Sequence, residues 1–304
     1  SEVDLIRKIK FKASGREWEG IPIIAANMDT IGTYEVYKVL SKHKIITAFH
    51  KFHGLRQFEN MTGLDPEYFA ISTGISEYDF NKLNEIMDSN FGSRVKFICI
   101  DVANGYMDCL VHFCKKVRDL YPDKVLIAGN VVSREVTEEL IINGKVDIVK
   151  VGIGPGSACT TRLKTGVGMP QLSAISECAD AAHGLNGFII GDGGITCPGD
   201  VAKGFGAGAD FIMIGGQFGG HDENPGEIIE KNGEKYKLFY GMSSQKAMEI
   251  HYGKMNNYRS SEGRVVTIKY KGPIEVTILD YLGGLRSTCT YINASCIKNI
   301  AKCC

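Results

Sequence analysis

The chain has 304 residues, with 35 Lys+Arg against 35 Asp+Glu, a formal net charge of zero, 44% hydrophobic residues and 36 glycines. That length accommodates two domains or one α/β barrel of about 250 residues or more, with a large core in either case. Zero net charge argues against a general nucleic-acid or membrane-surface binder and directs attention to a small-molecule partner.

The opening SEVDLIRKIKFKASGREWEG has no apolar run of signal-peptide length. Nowhere do about 18 consecutive apolar residues occur, so the expectation is a soluble, cytoplasmic protein. The ten cysteines form no CxxC pair and no Cys/His set with zinc spacing. They read as free thiols in a reducing compartment, most of them buried.

Along the chain, short apolar runs alternate with amphipathic segments of helical length. The runs are IPIIAAN (21–27), KIITAFH (44–50), YFAISTG (68–74), VKFICIDVANG (95–105), KVLIAGNVV (124–132), VDIVKVGIG (146–154), GFIIGDGG (187–194) and ADFIMIGG (209–216). Between them lie TYEVYKVLSKH, GLRQFENMTG, EYDFNKLNEIMDSN, MDCLVHFCKKVRDLYP, SREVTEELIING, MPQLSAISECADAAHG and CPGDVAKGFGAG. Strands apolar on both faces and separated by helices call for a parallel sheet covered on both sides. Eight such units predict a closed (β/α)8 TIM barrel, of the α/β class, forming one catalytic unit over residues 1–304. An open doubly wound sheet is the alternative, but no early GxGxxG turn supports it.

After the eighth strand the repeat breaks. Residues 217–272 hold the polar HDENPGEIIEKNGEKYK, the motif LFYGMSS, a further helical patch, YRSSEG and a strand-like RVVTIKY. A stretch this long predicts a flap inserted after strand 8. A final helix around TILDYLGGLRSTCTYI closes the barrel.

Polar residues and glycines gather at the C-terminal ends of the runs, where barrel active sites form. The sixth run leads into GIGPGSACTTR, which presents Cys159 on a glycine-rich turn between Ser157, Thr160, Thr161 and Arg162. A thiol placed there is a candidate nucleophile, with Arg162 as a nearby cation. The carbonyls of the turn could also ring a monovalent cation. Gly193-Gly194 and Gly215-Gly216, at the seventh and eighth strand ends, suit a phosphate site built from backbone N–H groups. Asp192 is placed for ribose hydroxyls, or as a helix cap. Thr161 pairs with Glu262 as a candidate proton relay. Lys51 could meet a cofactor phosphate or carboxamide, and Asp101 with Asn104 could orient a ring or a ribose. His50 and His53 lack the i, i+4 spacing of a zinc pair and are assigned no metal.

The segments GIGPGSACTTRLKTGVGMPQLSAISECADAAHG, DGGITCPGDVAKGFGAGADF, LFYGMSS and YRSSEG resemble the IMP dehydrogenase/GMP reductase family, and within it the reductase branch. The resemblance runs from SEVDL through LGGLRSTCTY; family members carry a further segment before it. The loop reads CTTR, as in the reductases, whereas the dehydrogenases typically follow the cysteine with Ile-Thr. Only the stretch from Gly54 to Glu67 separates the second and third runs, which leaves no room for a regulatory pair of cystathionine-β-synthase-type modules. Ile195 stands where many relatives carry cysteine.

The resemblance implies NADPH-dependent reductive deamination of GMP to IMP and ammonia through a covalent thioimidate on Cys159, with Thr161 and Glu262 moving protons. It implies nucleotide contacts from Asp192, Gly193, Gly194, Gly215, Gly216, Gly241, Met242, Ser243, Arg259 and Ser260. Cofactor contacts would come from Lys51, Asp101, Val102, Ala103 and Tyr258, with Ser287 and Thr288 reaching a neighbouring subunit's site. Gly154, Gly156 and Cys159 would supply carbonyls to a potassium ion, and the assembly would be a homotetramer. Three other readings stay open: an IMP dehydrogenase without regulatory modules, using NAD and water; a non-catalytic nucleotide-binding barrel; and a flavin-dependent barrel, which would not need Cys159.

Overall fold

The computed structural model describes residues 3–103, 108–240, 249–250 and 265–304. Eight parallel strands close into a barrel: β3 (Ile23–Ala25), β4 (Ile46–Ala48), β5 (Phe69–Thr73), β6 (Phe97–Asp101), β7 (Val125–Val131), β8 (Ile148–Val151), β9 (Phe188–Asp192) and β10 (Phe211–Ile214). Closure is made by β10 against β3, with Ile212 opposite Ile23 and Ile214 opposite Ala25. Each strand falls inside one of the eight apolar runs. The helices between them are α1 (Tyr34–Leu40), α2 (Leu55–Glu59), α3 (Glu77–Met87), α4 (Asp108–Leu120), α5 (Arg134–Ile142), α6 (Thr161–Thr165), α7 (Gln171–Gly184) and α8 (Pro198–Gly206). A long C-terminal helix, Ile274–Tyr291, follows. Among the described residues no helix is long and apolar enough to cross a membrane.

Helix starts follow local chemistry. Ser76 opens α3 with a capping box, its hydroxyl accepting the Asp79 N–H at 3.1 Å while Asp79 Oδ2 accepts the Ser76 N–H at 3.0 Å. Such reciprocal caps satisfy two N–H groups that the helix itself leaves unpaired.

Alternation along the strands sorts their side chains into two cores. Ile24, Ile46, Phe97, Ile127, Ile148 and Met213 form one cluster inside the barrel. Their neighbours Ile23, Ile98, Leu126, Val149 and Ile212 join a second cluster with the helices. Successive strand residues point to opposite faces, so an apolar run fills both cores at once. Each such side chain contributes about 1.5–3 kcal/mol on burial.

The lower end of the barrel is plugged by an antiparallel hairpin, β1 (Arg7–Lys10) and β2 (Glu17–Gly20). Phe11, just beyond β1, meets Phe97 and Phe188 edge-on at 6.2 and 5.6 Å, and Trp18 lies 5.2 Å from Phe211. The Trp18 indole N–H donates to the Glu67 carbonyl at 2.8 Å, so the ring is buried without an unpaired polar atom. The sequence alone does not mark out this hairpin, because RKIK and EWEG are short and mostly charged.

Beyond β10, a three-stranded antiparallel sheet is built from β11 (Ile229–Lys231), β12 (Glu234–Tyr240) and β13 (Val265–Lys269). Asn232 and Gly233, both at positive φ, turn β11 into β12, the geometry a two-residue hairpin favours. β12 leads into residues 241–264 and β13 leads out of them. The sheet is fastened to the barrel by buried polar groups. Lys237 Nζ donates to the carbonyls of His221 and Asn224 at 2.9 and 2.8 Å, and Asn224 Nδ2 donates to the Thr30 carbonyl at 3.0 Å. His221 is fully buried between the Gly272 carbonyl and the Thr277 hydroxyl.

Two expectations follow. Trp18→Ala removes the plug's largest side chain and lowers stability by about 3–5 kcal/mol in denaturant unfolding. Burial first, and then the Lys271 cation, lower the pKa of His221 from 6.5 to about 4. Between those values the unfolded chain binds a proton that the folded chain does not, so stability falls as pH drops through that window. A His221→Asn variant shows a flatter stability profile over the same window; an unchanged slope would remove His221 as its source.

Candidate active site

The cavity at the C-terminal mouth of the barrel is where most of the sequence-predicted residues meet. Cys159, Thr161, Gly154, Gly156, Asp101, Val102, Ala103, Asp192, Gly193, Gly194, Gly215 and Gly216 all line it. They come from the ends of β6, β8, β9 and β10, where each strand stops and the polar residues that follow it turn over the barrel.

Cys159 sits on the loop between β8 and α6. Its thiol donates to the Thr161 hydroxyl at 3.2 Å, and its backbone N–H donates to the Gly156 carbonyl at 3.1 Å. Gly154, at φ 78°, adopts a conformation that side-chain-bearing residues rarely take, and a Cβ there would lie 2.7 Å from Arg162 Cγ. Arg162 itself reaches back across the loop. Its Nε donates to the Ile153 carbonyl at 3.1 Å and its Nη2 to the Met169 carbonyl at 2.5 Å. The guanidinium therefore braces the turn; these bonds run to carbonyls rather than to the thiol.

Across the mouth from Cys159, Gly193 and Gly194 have φ values of 93° and 81°. A Cβ on Gly193 would approach Pro155 Cγ to 2.9 Å, so glycine lets this turn close against the cysteine loop. Gly215 and Gly216 complete the same wall.

Beneath these loops lies a charged layer of which the sequence singles out Asp101 and Asp192 but not Lys150, Asn27 or Asn130. Lys150 Nζ is 2.6 Å from Asp192 Oδ2 and 3.3 Å from Asp101 Oδ1. Asn130 Nδ2 donates to Asp192 Oδ2 at 2.9 Å and to the Gly152 carbonyl at 2.8 Å, while Asn27 Nδ2 donates to Asp101 Oδ2 at 2.7 Å. Burial alone pulls the Lys150 pKa down, but the two carboxylates outweigh it and raise the value above its ordinary one. The visible signal was a lysine inside the otherwise apolar run Ile148-Val149-Lys150-Val151, which periodicity files as core.

Tyr240, the last residue of β12, is also tied to the mouth. Its hydroxyl donates to Asp29 Oδ2 at 2.6 Å, and Asp29 Oδ1 lies 3.5 Å from His50 Nε2. Burial, with Asp29 beside it, pushes the Tyr240 phenol well above its usual pKa. Phe239, its neighbour in the LFYGMSS motif, lines the cavity.

Some predicted residues stand apart. Lys51 lines a smaller, separate recess between β5 and α3 with Ser72, Thr73 and Lys82, where Lys82 Nζ donates to the Lys51 carbonyl at 2.6 Å. Ser287 and Thr288 lie on the C-terminal helix, outside the cavity; Ser287 is exposed, and the Thr288 hydroxyl donates to the Gly284 carbonyl of its own helix at 3.1 Å. Glu262, Gly241, Met242, Ser243, Tyr258, Arg259, Ser260 and Asn104 lie outside the described residues.

Comparison with known proteins identifies the family. Residues 67–303 match the model of the IMP dehydrogenase / GMP reductase domain. Human GMP reductase 2 is 55% identical over 305 residues, which cover 99% of this chain and 87% of that protein. GMP reductase of Buchnera aphidicola subsp. Schizaphis graminum (strain Sg) is 55% identical over 306 residues, covering 99% and 87% respectively. GMP reductase of Escherichia coli O81 (strain ED1a) is 54% identical over 306 residues with the same coverage. A closed eight-stranded barrel, a cysteine on the loop after its sixth strand and similarity along nearly the whole length make this chain a member of the IMP dehydrogenase/GMP reductase family.

Proposed function

We propose that this protein is a GMP reductase, converting GMP, NADPH and two protons into IMP, NADP+ and ammonium. The observation that carries the reading is the Cys159 thiol, 3.2 Å from the Thr161 hydroxyl, in one cavity with Asp192 and the paired glycines. The names of the relatives aligned along 99% of the chain favour the reductase over a dehydrogenase lacking regulatory modules.

In the first half of the reaction the Cys159 sulfur, once deprotonated, attacks C2 of the guanine ring. The C2–N bond breaks and ammonia leaves, producing a thioimidate on Cys159. Thr161 is in contact with the sulfur, and we assign it with Glu262 to carry the thiol proton toward the leaving nitrogen. A thiolate suits both halves, since it attacks well and leaves readily. NADPH, when bound, supplies the hydride that C2 accepts as the carbon–sulfur bond breaks. Cys159 is then released as a thiolate with IMP.

The residues fit that assignment of ligands. Asp192, held by Lys150 and Asn130, is assigned as the acceptor for ribose hydroxyls. The N–H groups around Gly193-Gly194 and Gly215-Gly216 are assigned to the nucleotide phosphate, together with Gly241, Met242, Ser243, Arg259 and Ser260 for the nucleotide as a whole. Asp101, Val102 and Ala103 edge the same cavity and would face the nicotinamide, and Lys51, in a separate recess, and Tyr258 are assigned to the cofactor as well. Ser287 and Thr288 are assigned to a neighbouring subunit's site in a homotetramer. Among the described residues no three His, Cys, Asp or Glu side chains converge as metal ligands. The donors assigned to a potassium ion are instead backbone carbonyls of Gly154, Gly156 and Cys159, a type of cage such ions accept.

The test is absorbance at the reduced-nicotinamide band with GMP, NADPH and potassium, beside a control with IMP and NAD. The reading predicts GMP-dependent NADPH oxidation with ammonia released in equal amount, lost in Cys159→Ala while GMP binding is retained. IMP-dependent reduction of NAD without the GMP reaction would move the assignment to a dehydrogenase. Turnover surviving in Cys159→Ala would remove the thioimidate.

A further inference from the structure

Lys150 is only 2% exposed, in the middle of β8 and on the inward face with Ile148. An ammonium so placed is strongly unfavourable unless carboxylates compensate it. It lies behind two of them. Its side chain is 3% exposed, against 29% for Asp101 and 18% for Asp192. The carboxylates therefore keep faces toward the cavity, while the ammonium that holds them is covered. Asn27 and Asn130 add one charge-assisted bond to each carboxylate, fixing its plane.

We propose that Lys150 is a positioning residue that holds the Asp192 and Asp101 carboxylates oriented together, and so couples nucleotide binding at one to cofactor binding at the other. The inference rests on the site's being one for GMP and NADPH. One ammonium serves two carboxylates drawn from different strands. A change in charge or hydrogen bonding at Asp101 alters how strongly Lys150 holds Asp192, and the reverse holds as well. Without the ammonium, the two carboxylates at the same mouth repel each other with no cation to offset that repulsion.

The experiment compares the parent protein with Lys150→Met, Lys150→Arg and the double variant Lys150→Met/Asp101→Asn. GMP affinity is measured by calorimetry without cofactor, and kcat and KM are measured across pH. Lys150→Met is expected to weaken GMP binding about tenfold, the scale on which groups supporting a binding residue act. It is also expected to raise both KM values more than it lowers kcat, and to move the acid limb of kcat/KM toward neutral pH. Lys150→Arg keeps the acid limb of the parent. The double variant has one carboxylate in place of two carboxylates and an ammonium, hence the same net charge, and recovers part of the GMP affinity.

That recovery carries the test even where Lys150→Met alone does not fold, since the double variant then folds and binds GMP. A Lys150→Met protein with parental GMP affinity and an unmoved acid limb would overturn the inference. So would a double variant whose losses simply add. Failure of the parent itself to bind GMP would overturn the nucleotide reading, and this inference with it. Parental binding beside an unaffected Lys150→Met overturns the inference alone.

Discussion

The period-two alternation of the eight barrel strands is the constraint on which the rest of this structure depends. It sends one set of residues inward to a central core and the next set outward to the helices, so both cores fill from the same short runs. The inward set changes character as it rises. Phe97 and Cys99 give way to Asp101, Ile148 to Lys150 and Ile190 to Asp192. The apolar packing that closes the lower end therefore continues directly into the charged layer beneath the cavity. The hairpin plug and the charged layer are two ends of one column of side chains.

Rigidity at the base of that cavity supports precision at its rim. Lys150, Asn27 and Asn130 tie β3, β6, β7, β8 and β9 together just below the loops. Above them, the cysteine loop takes its shape from glycines at positive φ and from Arg162, whose bonds to the Ile153 and Met169 carbonyls brace the turn. The thiol and its hydroxyl neighbour are thus mounted on backbone that is fixed at several points. The Tyr240–Asp29–His50 contacts extend the same support to the root of the sheet that follows the barrel.

Much of this was legible because the signals were local. Strands apolar on both faces stand out in a sequence, and so does a cysteine in a glycine-rich turn. What escaped depends on tertiary context. β1 and β2 send only Ile9 and Trp18 into the core, too few to register as strands, and their role appears only when Phe97 and Phe211 are beside them. The Asn232-Gly233 turn carried a recognisable hairpin signal inside a stretch read simply as polar. Lys150 was hidden by the strength of its surroundings, since a buried lysine acquires meaning only with its partners, 49 and 42 positions away for Asp101 and Asp192 respectively in chain order. The sequence marks Arg162 as a cation near the thiol, and its bonds run to the Ile153 and Met169 carbonyls, because charge at close sequence spacing does not fix direction.

The account stands most directly on a covalent bond between Cys159 and the purine. The decisive measurement is peptide mapping by mass spectrometry of protein quenched with acid during turnover of isotopically labelled GMP. The account predicts label on the peptide carrying Cys159, with the purine's amino nitrogen already lost, and none in Cys159→Ala. Turnover with all label recovered in free nucleotide, or label on a different cysteine, would contradict it.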